Sequence, residues 1–196
     1  MSKTTAALSA ALLLVGALAL TGCASWLDSP NKPANDAIAV ANTHLKKAAT
    51  AGASVTEGAS SLDAIPYTKA GAASALVATA KLKTDLATQK AELEAAKAAM
   101  DSIAAMEVSA ELKEYAKLES AALATQVQTV DLGTKLYAEM DKLYSALEKG
   151  QTTAIDTQRI LDGVATIKRD ITAVSELAAQ QSKAATDYFT AQKLGG

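Results

Sequence analysis

Residues 75–103 read ALVATAKLKTDLATQKAELEAAKAAMDSI, and the fold follows from where the apolar side chains fall within them. Ala75, Thr79, Leu82, Leu86, Gln89, Leu93, Ala96, Met100 and Ile103 recur at intervals of three and four, the spacing that lines one side of an α-helix. Lys83, Lys90, Glu92, Glu94 and Lys97 fall off that line, as solvated positions of an amphipathic helix do. Continued to about Met106, the pattern predicts a rod of roughly 60 Å at the usual helical rise.

The same period extends in both directions. Upstream, Ile38, Ala41, Leu45, Ala48, Gly52, Val55, Ala59 and Leu62 form a seam of small side chains, with Asn35 or Asp36 suited to cap its first turn. Gly52 and Gly58 each weaken a helix by about 1 kcal/mol relative to alanine, so a kink or fraying is expected there. Asp63-Ala64-Ile65-Pro66 ends the pattern, because proline disfavours helical geometry in the residue before it and lacks a donor. Downstream, Ser109 is placed to cap a third helix that runs to Lys149. Its stripe is broad: Leu112, Tyr115, Ala116, Leu118, Ala122, Leu123, Val127, Val130, Leu136, Tyr137, Met140, Leu143, Tyr144 and Leu147. Lys149-Gly150 provides a basic last turn and a glycine stop. Thr152 or Thr153 opens a fourth helix with Ile160, Val164, Ile167, Ile171, Val174, Ala178, Gln181, Ala185 and Tyr188 along its seam, and Leu194-Gly195-Gly196 reads as a frayed end. Four helices joined by short turns predict an all-α fold, a long antiparallel four-helix bundle with coiled-coil-like, Ala-rich seams.

Composition bounds what such a bundle does. Aromatic residues make up only 4% of the 196, so the seams depend on alanine, which permits close approach but buries little area per residue. The formal net charge is −2, with acids and bases interspersed. Nucleic-acid binding is not expected, because it needs a concentrated basic face.

The first residues carry a different message. Lys3 precedes an apolar run from about Ala6 to Leu20; roughly 15 residues are too few to span a bilayer, which takes about 20, and suit a removed export signal. The run ends in Leu20-Thr21-Gly22-Cys23, containing the only cysteine. This tetrapeptide resembles the lipobox of bacterial lipoproteins. The resemblance covers the signal alone, and it implies cleavage before Cys23 followed by thioether lipidation and acylation (palmitate) of that residue. The competing readings of Cys23 are a free thiol and an intermolecular disulfide. The implied organisation is a signal peptide over 1–22, the lipidated cysteine and a flexible tether over 23–33, and the bundle over 34–196. By the same resemblance Ala24, where aspartate would favour the inner membrane, points to an outer-membrane protein facing the periplasm. Trp26 suits a bilayer interface or serves as a linker residue.

Chemistry is sparse. His44 is the only histidine, and the motifs that mark haem, zinc and di-iron sites (CxxCH, HExxH, Glu-x-x-His) do not occur. A glycine-framed serine nucleophile and a nucleotide-binding loop are missing as well. The sequence therefore predicts no catalytic, metal or cofactor residue. Glu119, Gln126, Gln89 and Gln181 fall on or beside seams, where polar groups set helix register or line a polar cavity. Tyr137 and Tyr144, one heptad apart, fit aromatic core filling. Ile65 and Tyr67 flank Pro66 on the turn farthest from the anchor and are the candidate partner contact, with Ile65 alternatively stapling the second helix. The functional expectation is a noncatalytic envelope lipoprotein serving as scaffold, spacer or partner-binding subunit, held to the membrane through Cys23. The alternatives are a module binding a small apolar or amphipathic ligand inside the bundle, and self-association through exposed alanine stripes.

Overall fold

The computed structural model describes residues 31–151 and 153–194. Four α-helices follow one another: α1 Lys32–Asp63, α2 Lys69–Ser102, α3 Ala110–Lys149 and α4 Ala154–Ala191. They form an all-α, antiparallel four-helix bundle. Consecutive helices pack together, α1 on α2, α2 on α3 and α3 on α4, whereas α1 and α4 make no comparable approach. The bundle is therefore open along one side, and α4 leans chiefly on one neighbour.

The predicted seams are the buried faces. Ile38, Ala41, Leu45, Ala48, Gly52, Val55, Ala59 and Leu62 are buried on α1, and Ala75, Thr79, Leu82, Leu86, Gln89, Leu93, Ala96 and Met100 on α2. The stripe of α3 is broad because it has two neighbours to cover. One side meets α2, where Lys90 Nζ pairs with Asp131 Oδ1 at 2.7 Å and Asp141 receives Lys83 and the Thr79 hydroxyl. The other side meets α4, where the Tyr115 and Phe189 rings lie 5.0 Å apart. Among the described side chains of α4, Val164, Ile171, Ser175, Ala178 and Ala185 are wholly buried.

Helix ends follow local chemistry where the sequence supplies it. The Ser109 hydroxyl accepts the Leu112 amide, and the Thr153 hydroxyl accepts the Asp156 amide; Thr152, the other predicted cap, lies outside the described residues. Gly150 adopts a left-handed φ of 66°, and the Gln151 amide reaches back to the Ala146 carbonyl at 3.0 Å. Only glycine takes that conformation without a Cβ penalty.

Four expectations about the helices need correction. α1 starts at Lys32, ahead of Asn35 and Asp36, and takes in Pro33 from the predicted tether; proline's fixed φ suits a first turn, where its missing donor would have no partner anyway. α1 also runs unbroken through Gly52 and Gly58. At Gly58 an added Cβ would come within 2.8 Å of Leu82 Cδ2, so that glycine admits the leucine of α2 and its propensity cost is offset by packing. α2 stops at Ser102, and Ile103–Ala105 tightens into a 3-10 turn short of Met106, as helix ends often do. The end of α4 is closed: the Lys193 amide bonds Thr190 O and the Leu194 amide bonds Phe189 O, both at 3.2 Å, with Lys193 at φ 52°. This is a Schellman closure in which Leu194, half-buried, packs back on the core. Gly195 and Gly196 lie outside the described residues.

Gly71 shows how tightly the first turn is built. A Cβ there would sit 2.5 Å from the Pro66 carbonyl oxygen and 3.1 Å from Ile65 Cγ2. Since the oxygen belongs to backbone, the turn itself must move, and overpacking of this kind costs about 1–3 kcal/mol. Gly71→Ala is expected to lower the urea midpoint accordingly at unchanged m-value; an unaltered midpoint would show that the turn is loose.

Candidate functional site

Antiparallel packing brings the turn 64–68 and the C-terminus of α3 at Gly150 together at one end, opposite Lys32. At roughly 1.5 Å per residue, α1 sets that end about 48 Å from its own start. The end is an aromatic cluster. Thr68 caps α2 by accepting the Gly71 amide at 3.2 Å, which fixes the loop and places Tyr67 over α3. The Tyr67 ring stacks on Tyr144, centroids 5.7 Å apart and planes within 2°. Tyr144 is wholly buried, yet Tyr67 remains 54% exposed. Tyr67 thus offers solvent one edge and face of a ring whose other face is clamped, which makes it a fixed aromatic platform at this end of the bundle.

Asp63, at the last turn of α1, gives this cluster its charge. Burial first, and Asp63 second, raise the Tyr67 phenol above its ordinary value, partly offset by the Tyr144 hydroxyl. Burial pushes the Tyr137 phenol up to about 12, with Asp63 adding to it, and burial also raises Tyr144. All three phenols therefore stay neutral donors at physiological pH.

The two predicted contact residues part company here. Tyr67 is exposed, but Ile65 is half-buried against the core and covers Gly71. It serves as the staple of the turn and leaves little surface to a partner, so of the expected pair Tyr67 is the one displayed. Tyr144, read from sequence as core filling, is also the floor of the platform. Its position five residues from the end of α3 was the available signal, since antiparallel topology brings that end to the 64–68 turn. Cys23, with its expected lipid, lies outside the described residues.

The polar seam positions are distributed differently. Glu119 and Gln126 are buried on α3 and Gln89 on α2, while Gln181 is half-buried on α4. Gln126 Nε2 donates to Ser182 Oγ across the α3–α4 interface at 3.4 Å. Glu119 Oε2, Gln126 Oε1, Gln181 Oε1 and Ser175 Oγ are buried without hydrogen-bond partners. Burial alone pushes the Glu119 carboxyl up to about 7. Ser175 was missed in the sequence because its neighbour Val174 fits the heptad equally well. His44 is half-buried and pairs through Nδ1 with Glu92 Oε2 at 2.6 Å, tying α1 to α2.

Among the described residues, no group of three or more His, Cys, Asp or Glu side chains stands where it would hold a metal ion. No helix among them is long and apolar enough to cross a membrane. The remaining large exposed apolar side chains, Val40, Val77 and Leu177, are on three different helices. Comparison with known protein families, curated proteins and solved structures finds no match to this chain.

Proposed function

We propose that this chain is a noncatalytic, lipid-anchored envelope protein whose bundle acts as a spacer and presents its far tip to a partner. The observation that carries the reading is Tyr67, exposed yet clamped on buried Tyr144 at the end opposite the start of α1. An aromatic side chain already fixed in place loses little conformational entropy on binding, and aromatic anchors contribute a large share of interface energy. The anchor half of the reading rests on Leu20-Thr21-Gly22-Cys23. Acyl chains on Cys23 would supply the hydrophobic area that stable attachment needs, and the outer membrane facing the periplasm is the proposed location. The residues after Cys23 leave room for the rod to stand away from the lipid.

A photo-crosslinking residue placed at position 67, in bacteria that export the protein, tests both halves together. Discrete adducts are expected from position 67, and far fewer from exposed Val77 on the flank of α2 as control. Cys23→Ala is expected to lose lipidation, with release from the membrane fraction or misprocessing of the signal, and to remove those adducts. Equal adducts at both positions would refute the tip, and unchanged membrane retention of a correctly cleaved Cys23→Ala protein would refute the anchor.

A further inference from the structure

We propose that α4 is the detachable element of this bundle: it stays docked on α3 while Glu119 carries its proton, and residues 175–191 lift when Glu119 ionises. This device is independent of the anchor and of the tip.

The geometry carries it in three ways. First, α4 packs on α3 and on no other helix to a comparable extent. Among the described residues, the ion pairs between helices join α1 to α2 or α2 to α3, and none joins α3 to α4. Second, the C-terminal half of α4 buries little apolar area. Ser175, Ala178 and Ala185 are its wholly buried residues, with Tyr188 and Phe189 half-buried at the end. Third, the face of α3 beneath it is polar or small. Tyr115 meets Phe189 and Gln126 meets Ser182; the same heptad stripe holds Glu119, Ala122, Thr129 and Gly133, all buried. Four polar atoms in this interface have no partner. A segment with few buried apolar contacts and unsatisfied polar groups is the one that opens first.

Glu119 makes that opening depend on protons. It is 4% exposed, and an ionised carboxylate there keeps the desolvation cost without a cation to relieve it. The titratable groups at its level offer none. On α3, Tyr115 lies one turn away and is itself raised by burial. On α4, Lys183 and Asp187 are exposed and pair with each other at 2.6 Å, and Tyr188 is a phenol. On α2, Asp101 is engaged by Lys97 at 2.5 Å and by the Ser120 hydroxyl. Neutral, Glu119 is a tolerable polar guest between the helices. Ionised, it is stabilised by water only if α4 moves away.

Native-state hydrogen exchange of the full chain at pH 5.5 and 8.5, corrected for intrinsic rates, tests this. With the Glu119 carboxyl near 7 when docked and near 4.5 when released, linkage predicts that protection of amides 175–191 falls about 30-fold across that interval. Protection in α1 and α2 should hold. Glu119→Gln should keep residues 175–191 protected at both pH values. The proposal is overturned if those amides keep their protection in the wild type, if all four helices lose it together, or if Glu119→Gln shows the same loss. Should that variant fail to fold, the wild-type pH profile decides: opening of residues 175–191 that grows about tenfold per pH unit up to about pH 7 and levels off above it supports the device, and a profile that is flat below pH 7 or keeps rising above it overturns it.

Discussion

Glu119→Gln is expected to abolish a stability loss of about 2 kcal/mol that the wild-type protein undergoes between pH 5.5 and 8.5. The sign follows from which state holds the proton. Burial raises the folded Glu119 carboxyl from its ordinary 4.5 to about 7, so between those values the folded chain binds a proton that the unfolded chain has released. Stability tied to that proton is complete below the ordinary carboxylate range and is lost as pH rises through 7. Asp101 works in the opposite direction, since Lys97 and then Ser120 hold its carboxyl below the ordinary value. Its contribution is present above that value and disappears only in acid, outside the interval. The buried tyrosines have raised phenols and remain neutral up to pH 8.5 in both states. Urea titrations at the two pH values measure the difference directly. A wild type equally stable or more stable at pH 8.5 would mean that Glu119 is hydrated, and the buried polar seam would lose its central member.

Leu86→Ala is expected to cost about 3 kcal/mol, the middle of the range for emptying a buried leucine site. Leu86 is wholly buried at mid-length on α2, the helix that packs on both α1 and α3. Its neighbours on the seam are Leu82, Gln89 and Leu93, held in long helices that cannot close a cavity without shifting register. For a chain of this size the melting temperature should fall by roughly 6–12 °C. Ile171→Ala provides the contrast, because Ile171 is the largest wholly buried side chain among those described on α4. That truncation should loosen α4 in hydrogen exchange while leaving α1 and α2 protected. A shift of less than 2 °C for Leu86→Ala, or uniform loss of protection for Ile171→Ala, would contradict the placement of the core in α1 to α3.

The two predictions divide the bundle along α3. On its α2 side the interface is held by leucines, methionine and charge pairs such as Lys90–Asp131. On its α4 side Val164 and Ile171 are the large wholly buried side chains, and the rest is held by alanines, one long Gln126–Ser182 hydrogen bond and the Tyr115–Phe189 ring pair. Both sides present a heptad in sequence, and residue size and polarity separate them once the partner of each face is known.

By itself the sequence determined the helices and most of their ends. The seam through Leu82, Leu86 and Leu93, the caps at Ser109 and Thr153 and the glycine stop at Gly150 all depend on residues within one or two turns of each other, so periodicity and local hydrogen bonding suffice to read them. The proposed export signal, whose ending resembles a lipobox, is likewise read from a short, contiguous pattern. The tertiary structure decided what no local pattern contains: that α4 packs chiefly on α3, that Glu119 is buried on the stripe of α3 that meets it, that Tyr67 lies on Tyr144, and that Ile65 turns inward over Gly71. A heptad states which face of a helix is covered and leaves open which helix covers it. That depends on contacts far apart in sequence, whose energies are set by the volume and polarity of the side chains that meet.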